Sequence, residues 1–349
     1  MKFGAFFLNQ SPEMRPSDEV YGRSIEMAVA ADQLGFDSVW LAEHHFSSYG
    51  YCSHPLLMAV KIAERTKNVR IGIAVMVIPF FHPLRLAEDI AMADQLMDGR
   101  LDLGIGRGYQ PFEFERFGVP IEENMERFNE IMDIVTRCLS EDGVSYQGKY
   151  FQFPTTHTFP RPIQKPHPPF WHAGSSTTSM KLSAERGYHC ISSGPLEQLK
   201  ENSTVYNQAL ASHGWGPREF AILRHTFLSY DPEEIDKQYD NAMYVRRTAG
   251  HLRAGTEKVI NGRAFPQPLP DEASREEFLE TTLLMGNPEE CLEKIERFRD
   301  QANVTYLLCQ FDIGGLETDK AMASMELFAR EVMPRLREAE KAEAPGAAS

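Results

Sequence analysis

Short apolar runs alternate along this chain with longer segments whose apolar residues recur on one side. KFGAFFL at 2–8 is a continuous apolar run of strand length. Residues 17–35 follow as a helix, with Ser17 and Asp18 as caps, Ile25, Val29 and Leu34 on one side, and Gly35 as the stop. The same pairing repeats, with strands at 37–45, 69–78 and 100–106 and helices at about 55–66, 82–98 and 124–141. VSYQGKYFQFP at 144–154 then predicts a hairpin around Gln147-Gly148, followed by a proline-rich stretch to Pro169. Strands resume at 169–176, 189–193, 220–230 and 305–315. Helices are expected at 178–187, 197–213, 232–250, 276–285, 288–302 and 317–338, while 250–275 has no clear period.

Strands this apolar cannot face water, so they require a parallel sheet covered by helices on both faces. Eight strand–helix units satisfy closure of an α/β (β/α)8 TIM barrel with insertions. A doubly wound open sheet is the alternative. The barrel is expected to occupy 1–340 as one domain, with insertions at about 142–168 and 250–275 and a flexible tail at 341–349. Long insertions of this kind often serve as lids.

Charge narrows the partners. The chain carries 36 Lys+Arg against 50 Asp+Glu, a net charge of -14, which repels nucleic acid and anionic lipid. No apolar run approaches the ~18 residues a membrane span needs. MKFGAFFLNQ lacks the pattern of a signal peptide, and the five scattered cysteines form no CxxC pair. The expectation is a cytoplasmic protein with reduced thiols acting on a small molecule.

A barrel builds its site from the C-terminal ends of its strands. There the second strand reads Glu43-His44-His45-Phe46, and alternation puts His44 and His45 on opposite faces. One can serve as a general acid or base; the other reading is a packing pair with Glu43 bonded to one of them. No HxH or HExxH spacing occurs, so no metal is expected. After strand four, Gly104, Gly106 and Gly108 surround Arg107, giving room for a ligand and a clamp for an anion. The run misses the GxGxxG spacing by one residue and follows the fourth strand, so it is not a dinucleotide fingerprint. After strand five, Ala173-Gly174-Ser175-Ser176-Thr177-Thr178-Ser179 enters a helix N-terminus. That pattern suits either an anion site or plain capping by Ser176 or Thr177. Ser193 ends strand six, and His225 on strand seven either lines the mouth or is packed.

Several long segments together resemble one family. MKFGAFFL, LGFDSVWLAEHHF (34–46), HPLRLAEDIAMADQLMDGRLDLGIGRG (82–108), STTSMKLSAERG (176–187), GNPEECLEKI (286–295) and SMELFAREVMPRL (324–336) are similar to the bacterial luciferase-like flavin monooxygenases, in the luciferase α-subunit branch. The resemblance implies a barrel in which reduced FMN meets O2 away from water and one oxygen atom enters an organic substrate. It also implies a separate NAD(P)H:flavin reductase and a dimer, for which symmetry makes a homodimer the default and a distinct partner chain the alternative. Carried over, His44 is the catalytic histidine, with Glu43 and His45 beside it. Ala74-Val75 is a non-prolyl cis peptide beneath the flavin, Arg107 binds its phosphate, and Ser176 and Ser179 contact that phosphate. Gly106, Tyr109, Ala173, Gly174, Ser175 and Ser193 complete the cofactor shell. Residues 250–275 match the mobile active-site loop.

Three positions depart from luciferase: Gly106 replaces a reactive cysteine, Ser175 a glutamate and Gly194 a tryptophan. The departures bear on light emission and a long-chain aldehyde substrate, not on flavin binding. Phe6, Phe46, Trp171, His225 and Phe227 are the expected substrate pocket, suited to a hydrophobic or aromatic molecule. Two other activities fit the same chain, a deazaflavin (F420)-dependent oxidoreductase and a non-catalytic flavin-binding partner subunit.

Overall fold

Eight parallel strands close on one another in chain order in the computed structural model, which describes residues 1–343 and side chains through Glu338. β1 (Lys2–Phe7) lies between β2 (Ser38–Leu41) and β8 (Tyr306–Gln310). β3 (Arg70–Val77), β4 (Leu101–Gly106), β5 (Phe170–Ala173) and β6 (His189–Ser192) follow. β7 (Phe220–Leu228) pairs with both β6 and β8 and completes the circuit. The outer ring is α1 (Ser17–Gln33), α2 (Pro55–Arg65), α3 (Pro83–Leu96), α4 (Asn124–Ser140), α5 (Thr177–Glu185), α6 (Leu196–Ser212), α7 (Pro232–Ala254) and α8 (Thr318–Glu331). This is the (β/α)8 barrel that the alternation predicts.

Large rings fill the N-terminal part of the barrel. Trp40 meets Trp171 at 5.1 Å and Tyr306 at 6.3 Å between ring centroids, both edge to face. Such pairs add roughly 0.5–1.5 kcal/mol to the area they bury. Gly72 makes room for them, since a Cβ there would run into the Trp40 ring. The interior is therefore packed at this level and opens only toward the C-terminal ends of the strands.

Several boundaries differ from the sequence expectation. β2 stops at Leu41, so residues 43–46 form a loop rather than strand. The N-cap of α1 is Pro16 with no side-chain cap bond; Asp18 and Glu19 instead lie in the first turn, where they face the positive end of the helix dipole. A helix at Pro111–Phe117 was not expected, although Pro111 at its start and left-handed Gly118 at its end bracket it. The helix expected over 276–285 covers only Arg275–Thr281. Leu284–Gly286 becomes a strand on β7, because Leu283, Leu284 and Met285 are buried on every side. The closing helix divides after Glu331, with Pro334 in the first turn of the next, Met333–Glu343. Residues 142–168 carry the hairpin, with strands Val144–Gln147 and Gln152–Thr156. Of the tail expected at 341–349, the part beyond Glu343 lies outside the described residues.

Gly22 occupies the interior of α1 with nothing near the position of a Cβ. Gly22→Ala is expected to raise stability by about 0.5–1 kcal/mol, read as a shift of the denaturant midpoint at constant slope.

Candidate active site

A cavity of about 730 Å³ opens where the strands end. Its floor comes from an irregularity between β3 and β4. Ile73 pairs with Leu103 and Met76 with Ile105, so β3 carries one extra residue. Such a bulge re-aims side chains, and here Ala74 and Val75 line the cavity with a cis peptide bond between them. Gly106, opposite, also lines it; a Cβ at that position would press on Val75 Cγ2.

The loop after β2 supplies Glu43 and His44 to the cavity wall. His44 Nδ1 lies 3.2 Å from Glu113 Oε1 and 3.0 Å from Gln110 Nε2. Its Nε2 has no hydrogen-bond partner among the described residues. Glu113 Oε1 also accepts the His45 backbone N–H at 2.9 Å. His45 Nε2 pairs with Glu43 Oε1 at 3.0 Å, and Glu43 Oε2 accepts the Val77 N–H at 3.0 Å, which fastens the loop to the floor strand. The two histidines do diverge: His44 faces the cavity, whereas His45 packs against the ring of Phe117 at 4.7 Å. Tyr49 lies 4.7 Å and Tyr109 6.2 Å from His44 between centroids, and both line the cavity. Burial raises both phenols, so they remain neutral, and the Tyr49 hydroxyl donates to that of Tyr109.

Across the cavity, Arg107, Ala173, Gly174, Ser175, Ser176, Ser179 and Ser193 line one wall. Ser176 caps α5, accepting the Ser179 N–H at 3.2 Å, so the capping reading is realised. The Ser175 carbonyl accepts from Gln198 Nε2 at 2.7 Å and Asn202 Nδ2 at 3.0 Å, which anchors the turn to α6. Gly174 is bare because a Cβ would overlap Ser179. Behind this wall His172 is pushed down to about 4, first by burial and then by the charges of Arg107 and Arg186. Arg107 itself has no hydrogen bond or ion pair among the described residues.

His225 lines the cavity and is bonded through Nδ1 to Gln310 Oε1 at 2.9 Å; burial pushes it down to about 4, so it is neutral. Phe6 also lines the cavity. Three residues expected in the substrate pocket lie elsewhere. Trp171 is locked in the ring layer below and stacks on His189 at 4.5 Å. Phe46 is 48% exposed, in a left-handed conformation that turns it to the outer surface beside Phe117. Phe227 is buried on β7 away from the cavity lining. Sequence reasoning missed Glu113 and Gln110, which the Pro111–Gly118 bracket could have placed on a helix. It also missed Tyr49 and the arginines of β7 and α7. Arg224 is fully buried and pushed down to about 9 by burial, and it holds the Gly194 carbonyl at 2.7 Å.

The residues present fit an anionic cofactor tail. An unpaired guanidinium, hydroxyls at a helix N-terminus and a bare glycine converge on one wall, and Ser192 Oγ nearby is buried without a partner. Among the described residues no group of His, Cys, Asp and Glu could hold a metal ion, and no helix is long and apolar enough to cross a membrane. All five cysteines are free and buried.

Comparison with known proteins places this geometry in a family. Residues 1–305 match the model of the luciferase-like monooxygenases. The chain is 28% identical to an alkanal monooxygenase alpha chain of a Kryptophanaron alfredi symbiont, over 97% of this chain and 99% of that one. It is 29% identical to the oxygenase component of a flavin-dependent trigonelline monooxygenase of Acinetobacter baylyi, over 97% and 96% of the two chains. The crystal structure of the monooxygenase RslO1 from Streptomyces bottropensis superposes with a TM-score of 0.85 at 27% identity, covering 96% of this chain and all of that one. A match of this extent, on a barrel whose mouth joins a buried histidine to an unpaired arginine, makes the chain an enzyme of the luciferase-like monooxygenase family.

Proposed function

We propose that the chain uses reduced FMN and O2 to insert one oxygen atom into a small organic substrate. The observation that carries the reading is one cavity that holds both Arg107, a cation with no hydrogen bond or ion pair among the described residues, and His44, an imidazole within reach of Glu113. When bound, FMN supplies the electrons that activate O2. Arg107, Ser176 and Ser179 would hold its phosphate, and Gly174 would let the chain approach closely. Ala74 and Val75, on the cavity floor, would hold the flavin ring. Glu113 and Gln110 Nε2 both reach Nδ1; in the tautomer protonated there, Glu113 accepts that proton and Nε2 of His44 is left open to the cavity, where it gives or takes a proton beside the reacting oxygen. Glu43 and His45 act as positioning residues, since they tie the histidine loop to the floor strand. The segment 250–275 contributes Leu269 to the cavity rim and is suited to excluding water.

A separate reductase supplies the reduced flavin, because the chain has no dinucleotide fingerprint of its own. A homodimer is the reading that symmetry favours, and the five buried free thiols suit the cytoplasm. The test is oxygen consumption by the purified chain supplied with photoreduced FMN, after calorimetry with oxidised and reduced FMN. Uptake of flavin and oxygen is expected; no FMN uptake in either state overturns the reading. Arg107→Ala is expected to weaken FMN binding by about 10- to 100-fold, the loss of a charge-assisted pair, while turnover per bound flavin stays near the parent value. Calorimetry and saturation kinetics measure the two quantities separately.

A further inference from the structure

The charge of the cavity runs against that of the chain. The molecule has a net charge of -14, yet three arginines with no hydrogen bond or ion pair among the described residues (Arg107, Arg246 and Arg253) line this one space. Arg107 is accounted for by the flavin phosphate. Arg246 and Arg253 lie on another wall, the inner face of α7, together with Ala249 and Gly250. That spacing is one helical face, and its two middle positions carry almost no side chain; the Leu269 side chain packs onto the face at Gly250. The next residue, Arg247, lies off this face and is bidentate to Glu272 at 2.6 and 2.8 Å.

The carboxylates on the cavity wall do not serve these arginines. Glu43 is engaged by His45 and the Val77 N–H, and Glu113 by His44 and the His45 N–H. Arg253 instead lies over the Tyr109 ring at 4.8 Å, and Tyr109 is the neighbour of His44. Arg246 lies over Phe278 at 4.7 Å, and Phe278 also lines the cavity. The two ends of the cavity are electrically distinct. Arg107 acts on His172 behind the serine wall, whereas Arg253 acts on Tyr49 and Tyr109 beside the histidine.

We infer that the substrate carries a carboxylate, held between Arg246 and Arg253 with the hydroxyl of Tyr109, which itself accepts from Tyr49, as a further donor. Anchoring there keeps the rest of the molecule in the cavity that His44 lines, with Phe278 and Leu269 as its apolar contacts. The word substrate rests on the monooxygenase reading; the anion subsite itself does not.

The test uses the chain loaded with oxidised FMN, titrated by calorimetry with a panel of small aromatic and aliphatic carboxylic acids, each beside its amide. Acids are expected to bind about 10- to 100-fold more tightly than their amides. Arg246→Met and Arg253→Met should each reduce that preference and the double variant should abolish it, with FMN affinity unchanged. Arg253→Lys should retain part of it. Equal binding of acids and amides, no binding of any acid, or a preference that survives in the double variant overturns the inference. Acid preference in a chain that fails to take up FMN would count against the flavin reading alone.

Discussion

His44→Ala is expected to lower product formation by about 10²- to 10⁴-fold, the usual range for loss of a positioned general acid or base, with FMN affinity little changed. The separation follows from geometry. His44 faces the cavity from the loop after β2, whereas the unpaired Arg107 and the serine wall stand after β4 and β5. Removing the imidazole therefore removes a proton carrier without touching the phosphate site. Glu113→Gln should lose less, because an amide still reaches Nδ1 but no longer stabilises a proton there. The check is turnover with saturating reduced flavin, read alongside flavin binding and hydrogen peroxide release. Normal turnover by His44→Ala would remove the histidine from the chemistry. A parallel collapse of flavin affinity would mean that it holds the cofactor instead.

The second large effect concerns Gly104. A Cβ at Gly104 would overlap the Ile73 carbonyl oxygen, with the Ala74 Cα 3.3 Å away. Both neighbours are backbone in the adjacent strand, so no side chain can move aside. Gly104→Ala must push β3 from β4 or flatten the bulge that presents Ala74 and Val75 to the cavity. Overpacking a filled interior costs typically 1–3 kcal/mol and more where only backbone can yield; about 3 kcal/mol or more is expected here. Chemical denaturation of the purified variant measures this, and flavin binding should fall with it because the floor of the cavity moves. Parent-like stability and flavin affinity would show that the two strands separate at no cost. Gly22→Ala, in an open part of α1, is the natural control with the opposite sign.

Much of this architecture was legible in the chain. Continuous apolar runs such as 69–78 identify strands buried on both faces, and their number and alternation with helices lead to the barrel. The chemistry-bearing types at the strand ends were legible for the same reason: His44, Arg107 and Ser176 each follow directly on an apolar run, and the structure brings all three to one cavity. His44 and His45 do part as expected, but the turn of the loop after β2 separates them rather than strand alternation, since the strand ends at Leu41.

What stayed hidden was which side chains meet. Trp171 and Phe227 have the composition of a substrate pocket, but their depth along the barrel places them in the packed interior, and depth has no local signature. Phe46 escapes because one left-handed residue turns it outward. Glu113 reaches His44 across 69 positions of chain, and the two arginines of α7 face the cavity only because a polar helix happens to close over its rim. The sequence by itself determined the elements, their order and the ends at which polar groups gather, because periodicity and capping are local. Only the tertiary structure decided the partner of the histidine, the rings beside the arginines of α7 and the boundary between core and cavity, because each depends on distances between segments that no local pattern encodes.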